Sequence, residues 1–327
     1  MGLKDLIREA RETKPKPSLV RELDRFIVKR AARPSERKKG VWHPSEIVSD
    51  GFCPRFEVLR RRQKLPIAKK TVDVEMERIF DVGHAVHHWY QERYLGPMGI
   101  LWGNWRCSRC LTVVQGVMPK DSCEFCQWGS SEDKEGPDLT PATCVETCSA
   151  VDPDPEDDSR GRLMQEVGRR GGCLHCSKWG RWEFIETTVR IPGHNIYGHT
   201  DGLLIDEDGK PDIVVDVKTA NERRFGALTA TGPSTQNMKQ VNLYMHGLGK
   251  KRGVLLYVCK NNGKIADFWF DYNRSLIEDE LADTLLLEKC LADGKVPLPE
   301  RHEDCGSPTT KRAKDCAGCD ACFAVED

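Results

Sequence analysis

The sequence predicts a compact α+β or α/β core, on three observations. Residues 197–219 alternate like two strands joined at Asp208-Gly209, a dipeptide favoured in two-residue hairpin turns. Residues 234–248 have helical character, followed by two more strand-like runs, 253–259 and 265–270, joined at Asn262-Gly263. Helical segments precede and follow this set, which is the element pattern of a sheet packed by helices.

In chain order, residues 3–12 and 18–32 are predicted helices separated by the Lys14-Pro15-Lys16-Pro17 breaker. The first forty residues carry thirteen Lys or Arg against six acids, a basic helical arm suited either to a phosphate backbone or to plain solvation. Ser45 is placed to cap a short helix. In 76–94, Ile79, Val82, Val86 and Trp89 recur at helical spacing, and His84 and His88 share a face that His87 does not. Residues 101–177, rich in Cys, Gly, Pro and acids, read as an insertion into a core of 41–100 and 178–300. Residues 182–191 return to strand alternation, 220–233 form a loop, 274–293 a long helix, and 301–327 a cysteine-rich tail.

The 327 residues carry a net charge of only −1. No apolar run approaches membrane-spanning length, which excludes a helical membrane protein. Fifteen cysteines behind a charged N-terminus without an apolar leader point to a reducing cytoplasm, with thiols used for metal instead of disulfides.

The chemistry concentrates in 197–219. A turn at 208–209 sets Asp201 directly opposite Asp216, and Lys218 shares the Asp216 face. Opposed carboxylates destabilise a ladder unless a cation sits between them, and the adjacent lysine suggests an anionic substrate. The apolar run Ile213, Val214, Val215 and Val217 marks the second strand as buried on both faces. Gln240 and Tyr244 then stand at i,i+4 on the following helix.

The order Gly83-xxx-His87, Gly198-His-Thr-Asp-Gly202, Asp216-Val-Lys-Thr219, Gln240-xxx-Tyr244 resembles the RecB-type branch of the PD-(D/E)xK nucleases. That branch includes RecB and AddB nuclease domains, CRISPR-adaptation nucleases and many phage exonucleases. The resemblance runs from about Trp42 to the C-terminus apart from the insertion. It implies a restriction-endonuclease-like fold with a mixed central sheet flanked by helices. It implies metal ligation of Mg²⁺ or Mn²⁺ by His87, Asp201, Asp216 and the Val217 carbonyl, with Lys218 catalytic and Gln240 and Tyr244 supporting the site against DNA. The implied activity is a metal-dependent DNA exonuclease acting on ends or single strands, in phage or mobile-element recombination alongside a single-strand annealing or similar protein. A non-catalytic zinc-ribbon adaptor and a site-specific endonuclease are the alternatives.

Iron–sulfur members of that branch join one early cysteine to three late ones. Here the resemblance implies a 4Fe–4S cluster on Cys53, Cys305, Cys316 and Cys322, with Cys319 spare and Ala313 where a late cysteine usually stands. Zn²⁺ on Cys305, Cys316, Cys319 and Cys322 is the rival, since thiolates suit both. In the insertion, Cys107-x2-Cys110-x12-Cys123-x2-Cys126 has zinc-ribbon spacing. Cys144, Cys148, Cys173 and Cys176 offer a second zinc site, and a cross-pairing of Cys107 and Cys110 with Cys173 and Cys176 is also open. Cys259 and Cys290 are expected as small buried apolar residues.

Overall fold

A computed structural model describes residues 19–31, 38–63, 73–119 except 109, and 182–324 except 295, 302 and 317. They divide into two units: 42–52 with 86–285, and 1–41 with 53–85 and 286–327. In chain order the helices are α1 (Leu19–Ala31), α2 (Pro44–Ile47), α3 (Pro54–Arg62), α4 (Val74–Tyr90), α5 (Glu222–Thr231), α6 (Thr235–Leu248), α7 (Glu278–Ala292), α8 (Lys311–Asp315) and α9 (Cys319–Phe323). A π-helical turn, Gln91–Leu95, follows α4.

The first unit holds a seven-stranded mixed sheet in the order β2-β1-β6-β7-β8-β9, with β3 also paired to β1. Its strands are β1 (Leu101–Cys107), β2 (Val113–Val117), β3 (Trp182–Ile185), β6 (Gly202–Ile205), β7 (Pro211–Ala220), β8 (Arg252–Cys259) and β9 (Ile265–Asp271). Among the described strands of this sheet, β7 and β8 are the parallel pair, which α5 and α6 between them make possible, because a parallel pair needs a crossover. Strands β4 (Thr187–Ile191) and β5 (Ile196–Thr200) form a separate two-stranded ribbon. Strand β7 is buried on both faces, as its valines require: Ile213 and Val215 enter a core with Leu101, Trp105 and Phe184, while Val214 joins Val241, Met245 and Leu255 on the α6 face. This mixed α/β architecture is the one expected.

The hairpin departs from expectation in two ways that cancel. Its turn is one residue longer than 208–209 alone: Asp206 and Lys210 pair through Asp206 N to Lys210 O (2.8 Å), and Gly209 takes φ +76°. A bulge between Leu204 and Ile205 then shifts the ladder back, so Gly202 faces Val215 and Leu203 faces Val214. Continued one step, that register sets Asp201 across from Asp216. The first strand is also not continuous. It breaks at Asp201, where β5 leaves the ribbon and β6 enters the main sheet.

Gly202 makes that switch at φ +148°, and a Cβ there would stand 2.5 Å from Leu101 Cδ1. Backbone strain and overpacking add. Gly202→Ala is expected to destabilise the protein by about 2–5 kcal/mol, read from urea denaturation midpoints.

Other elements correct the sequence reading. The predicted loop 220–233 contains helix α5, capped by Asn221 Oδ1 accepting from Arg224 N (2.8 Å) and anchored by buried Phe225 and Leu228. Ser45 lies inside α2, whose cap is His43 with Pro44 at the first helical position, where a missing N–H costs nothing. Residues 101–117, assigned to the insertion, are two strands of the main sheet. Ile79, Val82 and Trp89 on α4, spaced like a core face, are exposed. Cys259 and Cys290 are buried, as expected.

In the second unit, Arg62 on α3 donates to the carbonyls of Cys290, Asp293 and Val296, and buried Arg55 donates to Pro299 O (3.1 Å). Ion pairs of Arg30 with Asp81 and Glu77, and of Arg78 with Asp24, link α1 to α4. The predicted helix 3–12 lies outside the described residues.

Candidate active site

Within the first unit, Asp201, Asp216, Lys218, His87, Gln240 and Tyr244 come together. Asp216 and Lys218 project from β7 on the α6 face. Lys218 Nζ lies 2.7 Å from Asp216 Oδ2 and donates to Gln240 Oε1 at 3.2 Å. Gln240 Nε2 in turn donates to the Tyr244 hydroxyl at 2.8 Å. Gln240 and Tyr244 are both buried, so the i,i+4 pair faces the sheet and not solvent.

Asp201 is held from three sides. His87 Nδ1 lies 3.0 Å from Oδ1, Val217 N donates to Oδ2 at 2.6 Å, and Gln91 Nε2 donates to its backbone carbonyl at 3.0 Å. Thr200 Oγ1 donates to Val215 O (2.9 Å), fastening β5 to β7 beside it.

The charges are strained by burial. Loss of water raises the Asp216 pKa, Asp201 raises it further, and Lys218 offsets only part. Burial works against the charge on Lys218, but the Asp216 carboxylate, with the Asp201 charge behind it, raises the pKa overall. His87 follows the same logic: burial opposes its protonation, while the bond to Asp201 and both aspartate charges raise it overall. Tyr244 is pushed up by burial and then by Asp216, which keeps its hydroxyl protonated.

Asp216 Oδ2 is buried, and the partner the described residues give it is the Lys218 ammonium at 2.7 Å. A buried carboxylate oxygen with unfilled acceptor capacity, beside a second carboxylate and the Val217 backbone, suits a hard cation such as Mg²⁺ or Mn²⁺. Among the described residues no three His, Cys, Asp or Glu side chains stand, as placed, close enough together to hold a metal ion, either at this site or among the cysteines of the second unit.

Two residues of the site escaped the sequence reading. Gln91 stands four residues after His87, so both point to Asp201. Glu186 stands at the other root of the ribbon: Thr187 pairs with Thr200, and one step further the same register puts Glu186 opposite Asp201. The Pro192-Gly193 turn carried that signal. Lost hydration, then the Asp201 charge, raise Glu186 to about 7, although the residue is exposed overall, so solvent screens part of the effect.

A folded-state pKa above the unfolded one stabilises below about 4.5 and is lost as pH rises through about 7. Glu186→Gln is thus expected to raise the thermal midpoint of metal-free protein at pH 8 by about 1–3 °C and to leave it unchanged at pH 4.5. Melting curves across that range check it.

In the second unit, Cys53, Cys305, Cys316, Cys319 and Cys322 line one cavity with Phe56, Arg301, Ala313 and Phe323. All five are free thiols. Burial raises the Cys53 thiol, and negative charge at Cys316, Cys322 and Cys305 would raise it further. Ala313, standing where a cysteine was expected, lines the same cavity. In the first unit, Cys107 is buried at the end of β1 and Cys110 Sγ donates to Thr112 Oγ1 (3.3 Å). Cys123, Cys126, Cys144, Cys148, Cys173 and Cys176 lie outside the described residues.

No protein-family model matches the sequence, and no curated protein sequence does. Among solved structures, SSO0001 matches with TM-score 0.37 and 11% identity over 82% of this chain and 85% of that one. An alkaline exonuclease (LHK-Exo) from Laribacter hongkongensis matches with TM-score 0.29 and 13% identity over 46% of this chain and 76% of its own. Rai1 from Scheffersomyces stipitis matches with TM-score 0.20 and 15% identity over 32% and 30%. No helix among the described residues is long and apolar enough to cross a membrane.

Proposed function

We propose that the protein is a divalent-metal-dependent deoxyribonuclease of the RecB-like type, acting as an exonuclease on ends or single strands during DNA recombination or processing. The observation that carries this reading is the continuous chain Asp216–Lys218–Gln240–Tyr244 set against the Asp201–His87 pair.

Asp201, Asp216 and the Val217 carbonyl would hold Mg²⁺ or Mn²⁺. His87 presents Nε2 as its second nitrogen, because Nδ1–H is spent on Asp201. When bound, the cation supplies the Lewis acidity that lowers the pKa of water and stabilises the departing oxygen. The residues do the rest. Lys218, held cationic by Asp216 and aimed by Gln240, orients a water against the phosphodiester and screens charge gained in the transition state. Tyr244 fixes the Gln240 amide, and Gln91 and Val217 N fix Asp201, so the donors need no reorganisation as charge develops.

The test is digestion of 5′- and 3′-labelled single- and double-stranded oligonucleotides and of closed circular DNA, with Mn²⁺ or Mg²⁺. Stepwise loss from one labelled end supports an exonuclease. Discrete fragments from circles would replace it with an endonuclease, and binding without cleavage would leave an adaptor.

The cysteine cavity supports a second element of the proposal. Cys53, Cys305, Cys316 and Cys322 would hold a 4Fe–4S cluster tying the early helix α3 to the tail, with Zn²⁺ on the four late cysteines as the alternative. A zinc ribbon on Cys107, Cys110, Cys123 and Cys126, and a second zinc on Cys144, Cys148, Cys173 and Cys176, remain part of the proposed cofactor set.

A further inference from the structure

The end of α4 carries more than the site's histidine. His87 and Gln91 form one row of its surface and bind Asp201. The adjoining row is Tyr90 and Tyr94, whose ring centroids lie 5.1 Å apart. Next to that runs Trp89 with Arg93, whose guanidinium sits 5.6 Å from the indole centroid. Trp89 and Tyr94 meet edge to face at 6.5 Å and 69°. These are successive i,i+4 rows, so a belt of aromatic rings and one cation starts beside the catalytic row and passes outward round the helix.

Trp89 and Tyr94 in this belt are exposed, and Tyr90 is half-buried beside them. Trp89 is 54% and Tyr94 48% exposed, a costly choice for large rings unless a partner covers them. The π-helical turn beneath them is pinned from both sides. Gln91 donates to the Asp201 carbonyl at 3.0 Å, and Glu92 Oε1 accepts from Phe184 N at 3.2 Å. Single π turns of this kind mark functional segments of helices.

A ligand for this surface must offer flat π faces and negative charge at short intervals. Unpaired nucleotides do both, since every base has a face to stack and every linkage a phosphate for an arginine. A duplex hides its base faces inside the stack.

We propose that Trp89, Tyr90 and Tyr94, with Arg93, form a stacking platform for the unpaired bases of a single strand entering the Asp201–Asp216 site. The proposal rests on the nuclease reading for the direction of the strand, but its binding chemistry is separable. Each stacked base is worth about a five- to 150-fold effect on affinity.

Binding of fluorescent oligo(dT) to the full chain in EDTA tests it without catalysis. Trp89→Ala and Tyr94→Ala are each expected to weaken oligo(dT) binding at least fivefold. Trp89→Phe and Tyr94→Phe are expected to restore it to within about threefold, and blunt duplex binding should change little. Oligo(dT) bearing 5-iodouracil should photo-crosslink to Trp89, Tyr90 or Tyr94, a readout on unmodified protein that loss of folding in a variant cannot mimic. Crosslinks confined to other segments, or equal loss of single-strand and duplex binding, would overturn the platform. If the crosslinks and affinities behave as expected while the wild-type protein cleaves nothing with Mn²⁺, the platform stands and the nuclease reading falls.

Discussion

Lys218→Met is expected to lower Mn²⁺-dependent cleavage of a labelled oligonucleotide about a hundredfold to a thousandfold and to cost about 3–5 kcal/mol of stability. The two losses have different origins. The catalytic loss removes the one ammonium group that Asp216 and Gln240 hold in place. The stability loss comes from Asp216, which is buried and would be left without its cation.

The double variant Lys218→Met with Asp216→Asn separates them. A buried pair replaced on both sides regains most of the stability lost by breaking it on one side, so urea midpoints should recover while cleavage stays absent. The penalty of the single variant should also shrink on acidification. Asp216 already has a raised pKa in the intact protein, and its protonated form needs no partner below the ordinary carboxylate range. Full cleavage by Lys218→Met, under conditions where the wild type is active, would remove the catalytic assignment.

The second large effect is expected in the cysteine cavity. Anaerobically purified protein should be brown and contain iron. Cys53→Ser, Cys305→Ser, Cys316→Ser and Cys322→Ser should each bleach it and lower the thermal midpoint by roughly 10 °C or more, because a bound metal group stabilises in proportion to its affinity for the folded state alone. Cys319→Ser should keep the colour. Colourless zinc protein that tolerates Cys53→Ser but not Cys319→Ser would instead establish the local site on the late cysteines. The walls of the cavity come from Cys53 and Phe56 at the start of α3 and from Arg301, Cys305, Ala313, Cys316, Cys319, Cys322 and Phe323, so a cluster that includes Cys53 would staple an early helix to the tail, whereas zinc on the four late cysteines would hold the tail alone.

Much of this architecture was legible because short-range rules governed it. Strand β7 announced itself through valines that only a doubly covered strand accepts. Helix α6 was legible as a run from Ser234 to about Leu248, and the structure adds the Ser234 cap and the left-handed Gly249 that end it on either side. The opposition of Asp201 and Asp216 was legible even though the turn was misjudged, since the bulge restored the register. Failures came where tertiary pairing decided the outcome. Nothing local in 101–117 tells that β1 pairs with β6 and β3, and the exposed face of α4 breaks the rule that periodic apolar residues face inward. Glu186 was hidden because the strand containing it divides between two sheets at that residue. Helix α5 carries a local signal in its Asn221 cap, set against a Gly- and Thr-rich run that resembles a loop.

The compensated turn and bulge of the β6–β7 hairpin restrict how its length can change. Deleting or inserting a single residue anywhere in 205–212 would rotate one arm by half a pleat, carrying Asp201 off the side that Asp216 and His87 occupy and turning Leu203 and Leu204 inside out. Related sequences should therefore vary in this loop by two residues or not at all, unless the bulge and the turn change together.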